Sequence, residues 1–216
     1  MPEVYIQRLR TDDPGAEEPA HARERLKAAF PAGATRRMTT LGLIVGASVS
    51  GLEAPGMPVV YATSYAESRA LEGFLDSFPA PSPTLFQTSI HPSAVQQTLI
   101  ARQQSVGEFI PLSGGELLAF HSLRASMVSP WPEVVLCGGE ERGAWLLQYG
   151  LASSRTFGFA ALLGRARQAN SVARISVSAA EATGTMGLGG LFDLLHNKRP
   201  FAGAIAPGWH LGIEWL

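Results

Sequence analysis

Short β-type runs and helix-type runs interleave along this chain, and such an order leaves few architectures open, because successive strands must meet across intervening helices. Residues 4–9 alternate apolar and polar side chains, the pattern of a half-buried strand, and the Asp/Glu/Pro-rich stretch 11–19 reads as an exposed loop. Residues 41–49 and 58–64 are apolar β-type runs joined through S-G-L-E-A-P-G-M, which predicts two buried neighbouring strands around a Gly/Pro turn. Leu71, Phe74, Leu75 and Phe78 repeat at helical spacing within 68–78, and P-A-P-S-P stops that helix. Further helices are predicted over 95–104, 116–128 and 188–197, and further strands over 108–112, 134–137, 157–163, 174–178 and 210–215. No repeat, low-complexity tract or long linker divides the series. The expectation is a single α/β domain over 1–216, its central sheet covered by helices on both faces.

Composition narrows the function. With 216 residues, 46% of them hydrophobic, the chain can fill a core of its own. A formal charge of -1, with only Arg36 and Arg37 adjoining among scattered basic residues, argues against a nucleic-acid surface. Cys137 is the only cysteine, so one chain can build neither a disulfide nor a Cys-based zinc site, and the histidines and acids show no metal-ligand spacing. No metal and no cofactor are expected. The start, M-P-E-V-Y-I-Q-R-L-R, lacks an apolar signal core, and no run nears the roughly 18–20 apolar residues of a membrane span. A cytoplasmic chain without membrane or nucleic-acid partners is expected.

The stretch I-P-L-S-G-G-E-L-L-A-F, residues 110–120, has the strand-to-helix form of a nucleophile elbow, yet offers only Leu112, which is inert, and Ser113. S-G-G-E is also a capping box, with Ser113 as N-cap and Glu116 three positions on. G-A-S-V-S, 46–50, misses the hydrolase pattern G-x-S-x-G by its last residue and reads as a strand end. T-G-T-M-G-L-G-G-L-F, 183–192, offers a Gly-rich helix entry for a phosphate or coenzyme, but Phe192 occupies the third Gly position of a dinucleotide fingerprint. Cys137 and His121 read as a core thiol and a partly buried, satisfied histidine.

Three stretches carry more together than apart: S-P-T-L-F-Q-T-S-I-H-P-S-A-V at 82–95, L-S-G-G-E-L-L-A-F at 112–120 and V-V-L-C-G-G-E-E at 134–141. In order and spacing they resemble the β-ketoacyl synthase-like N-terminal-domain proteins, whose members beside aryl-polyene and related fatty-acid-type genes carry S-P-T-x-F-S-x-S-V-H-N-A, T-A-L-S-A-G-E and V-L-x-V-x-x-D/E-E. The resemblance implies half of a thiolase-type fold, a mixed five-stranded sheet between helical layers, with the elbow strand near a dimer interface. A condensing enzyme's elbow reads T-A-C-x-x-G, and Leu112 falls at the position of that Cys. Since a thioester must be attacked by a good nucleophile that is also a good leaving group, condensing activity is not expected. His91 matches the family His, while Gln96 and Gln97 stand where an Ala/Gly-rich helix is usual.

His91, Leu112, Ser113, Gly114, Gly115 and Glu116 are therefore the candidate binding residues. The resemblance implies a non-condensing, chain-length-factor-like subunit of fatty-acid, polyketide or aryl-polyene biosynthesis. It would form a homodimer, or a heterodimer with an active ketosynthase, and bind an acyl chain or an acyl carrier protein. The alternative from the residues themselves is a thioesterase or acyltransferase with Ser113 as nucleophile.

Overall fold

A computed structural model describes residues 3–52, 55–90 and 92–216. β1 (Glu3–Asp12) leads to α1 (Pro19–Lys27), where Pro19 occupies a first-turn position that has no use for its missing N–H and Glu18 accepts from the His21 N–H. A 3-10 turn, Ala34–Arg37, precedes α2 (Thr40–Val49), whose cap Thr39 accepts from the Gly42 N–H at 2.9 Å. Next come β2 (Val59–Thr63), α3 (Ser68–Leu75), α4 (Pro83–Thr88), α5 (Ser93–Ala101), β3 (Phe109–Ser113), α6 (Leu118–Val128) and β4 (Glu133–Glu140). A second 3-10 turn, Trp145–Tyr149, precedes β5 (Phe157–Gly164), β6 (Ala173–Ala179), α7 (Leu188–His196), β7 (Phe201–Ala206) and β8 (Trp209–Trp215).

Among the described residues the strands form one sheet of eight, ordered β3-β2-β4-β5-β1-β6-β8-β7. β3, β2 and β4 are mutually parallel; every other pairing is antiparallel. The period of two along each strand splits the core. Val60 and Ala62 of β2, Leu136 of β4 and Phe159 of β5 pack with α6 and α7. Their neighbours Val59, Tyr61, Cys137 and Ala160 pack with α1, α2 and α5 on the other face. The expected sheet between helical layers is thus the architecture, and Cys137 lies buried within it.

The structure corrects several expectations. Residues 41–49 form α2 rather than a strand, and G-A-S-V-S lies in its last turns. Nearly every residue of α2 is buried, so the sequence shows no polar face, and an apolar run of that kind has no periodicity to separate helix from strand. Burial is possible because Gly46 lets α5 approach: a Cβ there would run into Thr98 and Phe30. The sheet has eight strands where the resemblance implied five. β1, β6 and β8 extend it because their alternate residues Val4, Ile6, Ile175, Val177, Leu211 and Ile213 form an apolar face that only a continued sheet under α7 buries. The stretch 11–19 is a loop over 13–18, while Thr11 and Asp12 end β1 and Pro19 opens α1. α1, α4 and β7 are additions to the elements read from the sequence.

Candidate functional site

The elbow is built where the parallel part of the sheet ends. β3 lies beside β2 in register from Val59↔Phe109 to Thr63↔Ser113, and among the described residues no strand pairs with its other side. Pro111 within β3 is consistent with that place, since a residue without an N–H is tolerated at a sheet edge. Ser113 remains in the strand. α6 begins only at Leu118, with Leu117 as an N-cap that makes no side-chain capping bond. The capping box therefore does not form: Gly114 and Gly115 lengthen the turn, and Glu116 instead accepts from Thr185 Oγ1 at 3.3 Å.

A hollow of about 470 Å³ opens over this turn, lined by Leu112, Ser113, Gly114, Gly115, Glu116, Leu117, Leu118 and His121. Five of the six candidate residues are thus together, and His91 lies outside the described residues. His121 is exposed rather than partly buried, and it joins a hydroxyl and a carboxylate that sequence spacing did not connect to it. Ser113 and His121 share no hydrogen bond among the described residues. Leu112 also packs against the core, as an aliphatic side chain at that point should.

The Gly-rich stretch at 183–192 leads into α7. Gly187 caps α7, and Phe192 is fully buried, stacked on Phe157 with ring centroids 4.5 Å apart, an arrangement worth about 0.5–1.5 kcal/mol beyond burial. The position that would need glycine for a dinucleotide is a core residue. No group of metal-ligating side chains gathers among the described residues.

Buried acids are what the sequence reading missed. Glu140, 3% exposed at the end of β4, accepts from Thr63 Oγ1 at 3.2 Å and from the N–H groups of Ser64 and Tyr65 at the end of β2. Burial pushes its pKa up to about 7 against those donors. Its neighbour Glu141 accepts from the Leu41 N–H at 3.0 Å in the first turn of α2, and burial likewise raises its pKa. Glu72, on α3, is fully buried and accepts from the Leu146 N–H at 2.6 Å, the Ala144 N–H and Arg69 Nη1, which pins the Trp145–Tyr149 turn. Burial acts to raise its pKa too, but these donors outweigh it and hold the carboxyl below its ordinary value. The detectable signs were G-G-E-E closing an apolar run and a Glu between the apolar positions of α3.

Two adjoining hollows lie on the other side of the molecule's helical layer, at the start of α2. One, of about 330 Å³, is lined by Arg23, Arg36, Arg37, Arg69 and Glu141 among others; the second, of about 490 Å³, shares Arg36, Arg37, Met38, Thr84 and Thr88 and reaches Gln97 and Ile100 on α5.

No protein-family model matches the chain, and no curated protein does. Solved structures share its fold. The ketosynthase (ApeO) in complex with its chain length factor (ApeC) from Xenorhabdus doucetiae aligns with a TM-score of 0.69 and 16% identity, covering 98% of this chain and 98% of that one. The ishigamide ketosynthase/chain length factor aligns at 0.61 and 14% identity, covering 82% of this chain and 67% of that one. At these identities the likeness is one of fold, and the fold is the ketosynthase-like, thiolase-type one that the motifs implied. No helix among the described residues is long and apolar enough to cross a membrane.

Proposed function

We propose that this chain is a non-condensing, chain-length-factor-like partner of an active ketosynthase in fatty-acid, polyketide or aryl-polyene-type biosynthesis, working in the cytoplasm. The elbow carries the proposal: strand, turn and helix are in place, and Leu112 stands where a condensing enzyme would hold its thiol. A leucine there forms no thioester but can wall an acyl chain. The unpaired side of β3 supports association, because a free edge of main-chain donors and acceptors is completed by a second strand. The arginines at the start of α2 support a role for an acyl carrier protein, whose prosthetic arm bears a phosphate. The test is co-expression with a ketosynthase encoded beside it, followed by mass measurement in solution and hydrogen exchange. A one-to-one complex with new protection in β3 is the expected result; a stable homodimer protected in the same strand would move the proposal to self-association. A monomer with no affinity for any neighbouring ketosynthase would refute both forms.

The hollow that holds Ser113, Glu116 and His121 together favours a second reading, a thioesterase or acyltransferase acting on carrier-bound acyl chains. Ser113 Oγ would attack the thioester carbonyl while His121 takes its proton; the C–S bond then breaks, the carrier thiol leaves with that proton, and water or an acceptor hydroxyl takes the acyl group from Ser113. A fluorophosphonate probe should then label wild type and spare both Ser113→Ala and His121→Ala. No labelling, or equal labelling of all three, removes the enzyme.

A further inference from the structure

Glu140 stands where the parallel strands end, inside a cluster of donors. β2, β3 and β4 run the same way, so Thr63, Ser113 and Glu140 close them at one end of the sheet, the end where α/β folds place their sites. Thr63 is the last register partner of Ser113, and its Oγ1 donates to Glu140. Beyond Thr63 the chain leaves the ladder for a turn over residues 64–67. There Glu140 accepts from the N–H groups of Ser64 and Tyr65, and from the Ser64 side chain as well. Next in the turn, Ala66 has φ 49°, a left-handed conformation that a residue with a Cβ keeps only when its surroundings hold it. All of these partners donate, which suits a carboxylate. The proton of a neutral carboxyl would need an acceptor, and neither N–H can be one.

The two sides of this contact differ in freedom. Glu140 lies in a strand paired on β5, opposite Phe157, whereas residues 64–66 have no ladder partner among the described residues. When the contact parts, the turn moves and the carboxyl stays buried. We propose that Glu140 is a proton-operated latch: ionised, it holds the strained turn 64–67 beside the elbow, and proton uptake lets that turn open. The donors lower the carboxyl's affinity for a proton and burial raises it, so a state that keeps the burial and loses the donors binds the proton more tightly. Opening therefore becomes more frequent as pH falls toward about 7, where the latched carboxyl itself titrates, and is level below. Other titratable groups share this interior. Tyr61 on β2, whose pKa burial raises well above its ordinary value, is acted on by Glu67 before α3, by Cys137 on β4 and by Glu140. Glu141 turns to the Leu41 N–H, with Arg23 and Arg69 acting on it, and Arg155, ahead of β5, pairs with Asp13 and with Asp193 of α7. The latch is a property of this chain alone; that its opening alters partner binding at the β3 edge rests on the function proposed above.

Amide hydrogen exchange of the full chain from about pH 6 to about pH 9, resolved by NMR and corrected for intrinsic rates, reads the latch. Protection of the Ser64 and Tyr65 N–H groups should rise with pH above about 7, by at most about tenfold per pH unit, the limit for one proton. Glu140→Gln should hold both amides at the low-pH level throughout, about tenfold or more below wild type at the alkaline end, because a charged acceptor has become a neutral one. Glu67→Gln and Tyr61→Phe should keep the pH dependence, which assigns the proton to Glu140. Thermal unfolding checks that each variant remains folded, and wild type alone decides the matter where Glu140→Gln does not fold. Flat protection in wild type, protection that falls as pH rises, or a pH dependence that survives in Glu140→Gln would overturn the inference. The β5 amides report opening of the whole chain, and an equal rise in their protection would overturn the latch as well. Ketosynthase association is measured separately at both ends of the range. A chain with pH-dependent exchange and no ketosynthase affinity keeps the latch and loses the partner role, whereas association with flat exchange loses the latch alone.

Discussion

Replacing Glu140 by Gln should change how stability depends on pH. The carboxyl is 3% exposed and donors from Thr63, Ser64 and Tyr65 approach it, but burial dominates and its pKa stands at about 7 instead of 4.5. Below pH 4.5 the folded and unfolded chains both hold the proton, and between 4.5 and about 7 only the folded chain holds it. Stability therefore falls as pH rises through that window, because ionisation favours the unfolded chain, and it levels off above about 7. The displacement corresponds to about 3 kcal/mol. Glu140→Gln keeps the shape and stays neutral, so it mimics the protonated acid at every pH. Urea unfolding of both proteins from about pH 4.5 to about 8.5, at unchanged m, gives the stability difference as a function of pH. That difference should move in favour of the variant by about 3 kcal/mol over the window, and taking a difference removes the titration that both proteins share. A flat difference, or one that favours wild type as pH rises, would show that Glu140 is ionised throughout, and the dominance of burial would be refuted.

Ser113→Ala should leave stability within about 0.5 kcal/mol of wild type by urea unfolding, because Ser113 does not cap α6; a loss near 1 kcal/mol, typical of a cap, would contradict the helix start at Leu118. Glu72→Leu leaves the Ala144 and Leu146 N–H groups without their acceptor, a loss of about 1–3 kcal/mol for each, and Trp145 fluorescence should report a loosened 3-10 turn. Gly46→Ala should cost about 1–3 kcal/mol through overpacking against Thr98 and Phe30, measured as a lower urea midpoint.

The sequence conveyed the interleaved architecture because β-type alternation and helical spacing are local properties, legible wherever one face is buried and the other wet. It failed at 41–49, where burial on all sides erases periodicity, and at β7, whose F-A-G-A-I-A is too small and plain to announce a strand. Ser113 and Glu116 matched a helix cap by spacing, yet two intervening glycines placed them outside the helix. His121 entered the elbow hollow through the direction in which α6 leaves the turn, which spacing alone does not encode. Gln97 was already conspicuous as a polar residue in a place usual for small ones, but its link to Arg36 and Arg37 depends on α5 meeting the turn before α2. Site residues contributed by one turn were visible; those assembled from three elements were not.

The two ends of the sheet also differ in how far the chain must travel to make them. β7 and β8 are joined through a tight turn at Gly208 and pair antiparallel, so the loop to be closed is minimal. β3 reaches β2 only after α3, α4 and α5 have been laid down between them, and it joins in parallel. Closing the longer loop costs more entropy before any contact repays it, and parallel pairing is slow for the same reason. Of the two ends the hairpin is expected to form first, an order that pulsed hydrogen exchange reads directly. The edge proposed to meet a partner would then take shape after the opposite one, and a partner already present could complete it as it forms.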